Sequence, residues 1–422
     1  MANNLDKNTS ELVLKEFLPG FMDDLVLCKE VDRQMLTGSI NPNTGETVQF
    51  KRPHQYQVQR TPAGDISGGT PSALISATAT ARTSEYITID IEWTQLEQAI
   101  KLNQLDEVLM PARQKMVTEL ENELATYMLN NAGLTLGTAG SAIDAWGDIA
   151  GTGSYLKALG VEDEYCAVMN PWAAQDLADT QSGLASGDNR LVTTAWERAQ
   201  ISRPFGGVRA LMSNSLESVT TGTATGAYVG GLAATPTVTY EALKDTYQIT
   251  VDLTIGAGET LTAGQQIQFD DTNMLQQQNK NVLSRRGAAI PFVGTVTADA
   301  TADGGGAVQV VLSGAPIFDV ANPQYNTVDR AIALGDDITV LGAASTTYQP
   351  GLFFSKGYVG LGTVELPRLH TWDSSVVNYD GFSIRATRYS DPKTNTQGMR
   401  LDMLPSFCVF NPFMGGQFFG NP

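Results

Sequence analysis

Asp106-Glu107-Val108-Leu109-Met110-Pro111-Ala112-Arg113-Gln114-Lys115-Met116-Val117-Thr118-Glu119-Leu120-Glu121-Asn122-Glu123-Leu124-Ala125-Thr126-Tyr127-Met128-Leu129-Asn130-Asn131 carries the strongest periodic signal in the chain. Ala112, Met116, Leu120, Leu124 and Met128 recur every fourth residue, which stacks them on one side of an α-helix. Asp106 is a start cap and Gly133 a stop signal. At 1.5 Å per residue the helix spans roughly 39 Å. Its opposite face is read as Arg113, Lys115, Glu119, Glu121 and Glu123. Pro111 falls in the first two turns, where a proline costs least, although it allows a bend.

Upstream of the helix, Val48 to Arg52 and Tyr86 to Trp93 alternate like strands, with a polar loop from Pro53 to Ser84 between them. Connections longer than about 15 residues are usually functional or disordered. A two-stranded excursion with so little core of its own predicts a limb that finds partners in a neighbouring molecule. Earlier still, Ser10 caps a short run to Phe17, Pro19-Gly20 breaks it, and a second run extends from Phe21 to about Glu30. The reading is an arm of two short helices. Its apolar side, Leu12, Val13, Phe17, Phe21 and Leu25, is too small to fold alone and must pack elsewhere in this subunit or in another.

Downstream, Ser141 to Leu216 mixes helical patterns at Ala173–Thr180 and Val192–Gln200 with a strand at Cys166–Met169. From Gly222 to Tyr348 the texture changes to Gly, Thr and Ala. Strand-like runs recur at Tyr247–Leu253, Gln265–Phe269, Val293–Ala298, Val308–Ser313 and Asp337–Leu341. Short strands separated by turn signals predict a small barrel or sandwich inserted as its own domain. Mixed structure then returns, with strands at Gly381–Tyr389 and Ser406–Phe410. No fixed-period repeat is present, which argues against a solenoid or propeller.

The 422 residues suffice for two or three domains. Only 17% are charged, below the roughly 25% of an average globular chain, while 41 are glycine, which suits a β-rich, turn-rich protein. A net charge of -18 repels a phosphate backbone, so a direct grip on DNA is not expected. That charge serves solubility, or long-range steering of a basic partner. Cys28, Cys166 and Cys408 lie far apart and predict neither a disulfide framework nor a zinc motif. The opening residues lack a leader pattern and no run reaches the roughly 18 apolar residues of a membrane span, so a soluble, cytoplasmic protein is expected.

Catalytic chemistry is poorly supplied. His54 and His370 are the only histidines, and neither stands at a hydrolase spacing. Gly256-Ala257-Gly258 and Gly304-Gly305-Gly306 lack the Lys-Ser or Lys-Thr of a phosphate cradle and are read as turns. The acidic pairs Asp23-Asp24, Asp270-Asp271 and Asp336-Asp337 lack the alternating ligands of a calcium loop and are read as solvated turns. A glycosidase carboxylate pair leaves no spacing signature, so spacing alone does not decide that enzyme class. No catalytic residue, metal or cofactor is assigned.

Long runs carry a more specific signal. Asn3-Asn4-Leu5-Asp6 through Phe17-Leu18-Pro19-Gly20-Phe21-Met22, Phe50-Lys51-Arg52-Pro53-His54, Gly64-Asp65-Ile66-Ser67-Gly68, Ala99 to Leu105, and Met414 to Pro422 occur in this order along nearly the whole chain. Together they resemble the major coat proteins of short-tailed bacteriophages of Salmonella and Shigella, most closely the Shigella branch. The resemblance implies an α+β tailed-phage major capsid fold of Hong Kong type: an N-terminal arm (1–46), an extended β loop (47–94), a peripheral domain with the long spine helix (95–140), an axial domain (141–221), an inserted small β-barrel (222–348), and a return to the axial and peripheral domains (349–422).

It further implies subunits that form hexamers and pentamers, first as a precursor shell around a scaffolding protein. A portal protein at one vertex and enclosed double-stranded DNA complete the virion capsid, assembled in the host bacterial cytoplasm. The family's scaffolding protein docks through basic side chains onto acidic coat residues of the arm, so Glu11 and Glu16 are candidates by chemistry, with solvation of a helix face as the alternative. Lys51, Arg52, Arg60 and Asp65 on the limb are candidate intersubunit contacts. The family's long polar loop reaching across a two-fold axis corresponds here to a shorter stretch near Glu241 to Tyr247, so the resemblance does not extend to that contact. Competing readings are an encapsulin-like compartment shell and, from another class, a carbohydrate-active enzyme.

Overall fold

In the computed structural model the first helix, α1, runs unbroken over Thr9–Asp24. The structure describes residues 9–33, 47–52, 54–61, 64–69, 71–83, 85–94, 105–137, 141, 143, 145–162, 164–181, 207–216, 218–369, 373–391 and 396–419. Pro19 lies inside α1, so the expected break into two helices does not occur. A mid-helix proline forfeits one backbone hydrogen bond. Here the apolar residues on both sides of it, Val13, Leu14, Phe17, Leu18, Phe21 and Leu25, are all buried, and that packing offsets the loss.

The long helix α2 spans Leu105–Asn130 with Pro111 inside it. Ala112, Met116, Leu120, Leu124 and Met128 are buried as their spacing requires, joined by Leu109, Val117, Ala125 and Leu129. Glu121 departs from the expected exposed face, for it is also buried. The chain divides into two compact units, and the division falls inside α2. One unit comprises Met1–Gln49, Thr80–Ala125 and Val359–Cys408; the other comprises Phe50–Ala79, Thr126–Tyr358 and Val409–Pro422.

In the first unit, a four-stranded antiparallel sheet has the order Asp373–Tyr379, Phe382–Asp391, Thr396–Met403, Ile87–Thr94. Asp380 and Gly381 turn the first hairpin with φ of 47° and 89°, the two-residue turn that matches strand twist. Helix α1 packs on the first two strands, and Phe21 meets Phe382 edge-on at 5.5 Å. A five-stranded sheet has the order Asp32–Arg33, Val359–Thr363, Pro405–Val409, Thr78–Thr83, Thr47–Lys51.

These pairings correct the two-stranded excursion. Thr47–Lys51 lies beside Thr78–Thr83, a strand inside the stretch read as polar loop, while Ile87–Thr94 pairs along its length with Thr396–Met403. The alternating pattern located strands but could not name their partners.

The second unit holds a mixed five-stranded sheet in the order Leu134–Leu136, Gly415–Phe418, Gly351–Ser355, Tyr165–Met169, Val208–Met212. Helix α3, Trp146–Leu159, packs on its last two strands, and α4, Pro171–Gln181, follows Tyr165–Met169. The Val192–Gln200 helix and His370 lie outside the described residues. All five strand-like runs of the inserted region form. With Gly226–Tyr228, which the sequence reading did not mark, they give a six-stranded antiparallel sheet ordered Gln248–Thr254, Ala307–Ser313, Pro291–Val296, Gln266–Asn273, Ile338–Val340, Gly226–Tyr228.

The edges of this sheet meet. Leu232, just beyond one edge strand, bridges Leu253 on the other; Ala233 N donates to Asp252 O and Thr254 N to Gly231 O, both at 2.8 Å. Alternate residues, Ile249, Val251 and Leu253 opposite Val308, Val310 and Leu312, are buried with Phe269, Phe292, Ile338 and Val340. Each such side chain contributes about 1.5–3 kcal/mol when fully buried. The three cysteines are buried and form no disulfide. Among the described residues, no helix is long and apolar enough to cross a membrane.

Candidate assembly sites

The limb begins at Lys51, the last residue of its strand, whose side chain lies outside the described residues. The next side chain, Arg52, turns inward and is only 5% exposed. Its guanidinium donates to Asp245 O at 3.0 Å, to Val409 O at 3.2 Å and to Phe410 O, and lies over the Tyr247 ring. Its backbone N donates to Ala77 O at 2.9 Å, so the two ends of the 52–77 segment are tied together. Asp245 adds a second tie, its carboxylate accepting from Thr78 N at 3.0 Å and Thr78 Oγ1 at 3.2 Å.

An aromatic stack extends this node. Tyr240 and Tyr325 lie parallel with centroids 3.7 Å apart, and Tyr247 meets Tyr240 edge-on at 6.4 Å. Burial raises the phenol pKa of Tyr240 and Tyr247. A third tie comes from Lys280, whose ammonium donates to Gln55 Oε1 at 3.2 Å and Asn326 O at 3.0 Å; burial lowers its pKa to about 8.

Beyond these ties the segment is extended and open to solvent. His54, Arg60 and Asp65 are exposed, as are the large apolar side chains of Tyr56, Val58, Ile66 and Leu74. Asp65 accepts from Ser67 N at 2.9 Å, and that bond, with a further one from the Ser67 side chain, holds its carboxyl below the usual range. Among the described residues Arg60 forms no ion pair. Of the four limb candidates, the structure therefore leaves Arg60 and Asp65 facing water and turns Arg52 into the subunit.

On the arm, Glu11 and Glu16 lie within α1, and their side chains are outside the described residues. Two other acidic groups fix the arm in place. Asp24 at the end of α1 pairs with Arg113 of α2 at 2.9 Å. Glu121 accepts from Val26 N and, at 2.8 Å, from Leu27 N, satisfying the first N–H groups of a short helical turn at Leu27–Lys29. Burial, with the Glu121 charge nearby, pushes the Cys28 thiol well up.

The two glycine runs form turns, but the acidic pairs depart from the solvated turns expected of them: Asp23 and Asp24 end α1, Asp270 and Asp271 lie within strand Gln266–Asn273, and Asp336 is buried. Gly258 and Gly306 hold φ of 73° and 87°, and the Asp303 carboxylate caps its turn from Gly305 N at 2.8 Å and Ala307 N at 2.9 Å. Among the described residues, no group of three or more His, Cys, Asp or Glu side chains is placed to hold a metal ion. Sequence reading missed Asp245, Tyr247, Tyr240, Tyr325 and Lys280, since no spacing links them to Arg52.

Residues 1–420 match the family described as P22 coat protein - gene protein 5. The chain belongs to the P22 coat protein family. It is also 51% identical, over the full length of both chains, to the major capsid protein of Acyrthosiphon pisum secondary endosymbiont phage 1. Among solved structures it is similar to a chain of Mycobacterium phage Che8 (12% identity, TM-score 0.43, 94% of each chain covered) and to the capsid of Ralstonia phage GP4 (9% identity, TM-score 0.43, 93% of this chain and 87% of that one). As a member of the coat protein family the chain is a phage major capsid protein, a structural component that self-assembles into a shell and not an enzyme.

Proposed function

We propose that this coat protein assembles as hexamers and pentamers, around a scaffolding protein, into an icosahedral precursor shell. The shell matures, carries a portal at one vertex and encloses double-stranded DNA. The observation that supports this most is the family match spanning residues 1–420, because it runs through arm, limb, long helix and inserted region alike. The net charge of -18 is consistent with a container that encloses DNA without condensing it.

In this reading the region 222–348 is an inserted β-barrel, supported by the hydrogen bonds that join the two edges of its sheet. The limb reaches a neighbouring subunit through Lys51, Arg60, Asp65 and the exposed apolar side chains, and Arg52 acts by fixing the root from which they project. Glu11 and Glu16 meet basic side chains of the scaffolding protein. Exposed ion pairs of this kind are worth only about 0–1 kcal/mol each, which suits a partner that must leave.

The test is expression with and without the scaffolding protein of the same phage, followed by sedimentation and electron microscopy. Closed shells of uniform size, fewer or aberrant without the partner, are expected. A monodisperse small oligomer under both conditions overturns the shell reading; uniform shells without the partner overturn the scaffold requirement alone. Alanine at Glu11 and Glu16 is expected to lower scaffolding protein incorporation, and unchanged incorporation removes those two residues from the contact.

A further inference from the structure

The acidic pairs Asp270-Asp271 and Asp336-Asp337 come together at one end of the six-stranded sheet. Asp270 N donates to Asp337 O at 3.1 Å, and Asp337 N to the Asp271 carboxylate at 3.0 Å. Among the described residues one cation reaches them: Arg330 stands 2.9 Å from Asp336 and 3.9 Å from Asp271. Four carboxylates and a single guanidinium leave this end strongly negative. Two aliphatic side chains project into solvent beside it, Val229 at 88% and Leu334 at 66% exposure. Their turns adjoin, with Gly230 N donating to the Asp337 carboxylate at 2.7 Å and Leu232 N to Asp336 O at 3.1 Å. These two exposed apolar side chains lie beside the carboxylates, a combination that suits contact with another molecule.

The complementary charge sits on a finger of the same sheet region. Ser284–Arg285 pairs antiparallel with Ala288–Ala289 around Arg286-Gly287, whose φ values of 52° and 87° make the tight turn suited to strand twist. The root is anchored by buried Leu283, which donates to Met274 O at 2.8 Å and accepts from Ile290 N at 2.9 Å. Every residue from 284 to 289 is exposed. The other cations of residues 222–348 are engaged: Lys244 with Glu241, Lys280 with Gln55 and Asn326, Arg330 with the aspartates. Among the described residues, the side chains of Arg285 and Arg286 form no ion pair or hydrogen bond.

We propose that this finger docks on the acidic end of a second copy of the chain, with Arg285 and Arg286 against Asp270 and Asp271 and with Ala288-Ala289 against Val229 and Leu334. Charge complementarity selects the occupant. Copies carrying a net charge of -18 repel one another when they lie side by side, and residues 222–348 supply both an unpaired cationic finger and an underneutralised anionic end. This inference rests on the shell reading, since only an assembly brings copies into register.

Shells of the wild type, of R285E/R286E, of D270K/D271K and of the fourfold variant are compared by sedimentation over a range of protein and NaCl concentrations. Each reversal is expected to raise the protein concentration needed for assembly by about tenfold, and the fourfold variant to recover most of the loss. Circular dichroism of unassembled subunits separates misfolding from lost contact. If the lysine pair misfolds, D270N/D271N, which keeps shape, takes its place. A second arm places cysteines at Arg286→Cys and Asp270→Cys. Covalent dimers on oxidation of assembled shells, absent from dilute subunits, are expected. Wild-type shells with unaffected reversals, no recovery in the fourfold variant, or no cross-link overturns the inference while leaving the shell reading intact. A wild type that forms no shells overturns both.

Discussion

The guanidinium carbon of Arg52 lies 4.3 Å from the centroid of the Tyr247 ring, so one buried cation is both stacked on an aromatic face and spent on backbone carbonyls. A buried charge without partners is costly; here the planar fork meets Asp245 O and Val409 O in edge contact and Tyr247 in face contact. The node joins residues 193 and 357 positions apart in sequence. It gives the exposed limb a stiff root, and a surface presented on a stiff root loses less entropy on docking.

Arg52→Ala strips three carbonyls of their donor and leaves a cavity beside Tyr247; a loss of about 3 kcal/mol is expected, from the cost of buried unsatisfied groups. Arg52→Lys keeps the charge but neither the fork nor the stacking and is expected to recover less than half of that loss. Urea titration of unassembled subunits checks both. A lysine variant as stable as the wild type would show that charge alone holds the node.

Glu121 makes a similar demand in the other unit. Glu121→Ala leaves the buried Leu27 N and the half-buried Val26 N without their acceptor, at about 1–3 kcal/mol for the former and less for the latter. Glu121→Gln retains an acceptor oxygen and is expected to cost about 1 kcal/mol. Hydrogen exchange at residues 26 and 27 reads this directly: the alanine variant should expose those amides while strand Phe382–Asp391 stays protected.

How much of this was legible in the sequence follows from the range of each interaction. The buried stripe of α2 and the five strands of the inserted region depend on near neighbours, so their period shows in the residues. Strand Thr78–Thr83 was hidden because its buried side is Ala79 and Ala81, too small to register as an apolar alternation. Helix α3 was hidden by Gly147, Gly151 and Gly153, poor helix formers that packing overrides. Glu121 sits at a helix position that local pattern assigns to water, and only the arriving Val26–Leu27 backbone explains its burial. The root of the limb was out of reach for the same reason, since Arg52 finds its carbonyls through the fold and not through spacing.

Lys280 supplies a pH signature. Burial lowers its pKa to about 8, whereas in the unfolded chain it returns to about 10.4. Between those values the unfolded chain binds more protons, so this lysine makes stability rise with pH. Above about pH 10 the buried tyrosines, whose pKa values are raised in the fold, turn the trend downward. Melting temperatures of subunits from pH 7.5 to 9.5 should therefore climb in the wild type and climb less in Lys280→Met. Parallel profiles would show that the ammonium is not desolvated at the Gln55 contact.

Asp402 gives the opposite limb of the pH curve. It is fully buried, with Arg385 at 2.6 Å, Arg400 at 2.6 Å and Thr88 Oγ1 at 2.8 Å. Burial alone would raise its pKa, but the donors from Arg400, Arg385 and Thr88 outweigh that and hold it below the ordinary carboxylate value. A depressed folded pKa contributes stability above the unfolded value of about 3.9, and that contribution is lost as pH falls through the folded value. Asp402→Asn is expected to cost about 3 kcal/mol at pH 7, because it strands the buried Arg385 cation, and to flatten the fall in stability below pH 4. If the variant keeps the wild-type acid slope, carboxylates elsewhere set it, and the Arg385–Asp402–Arg400 cluster serves to fix strand register between Phe382–Asp391 and Thr396–Met403 without governing acid unfolding.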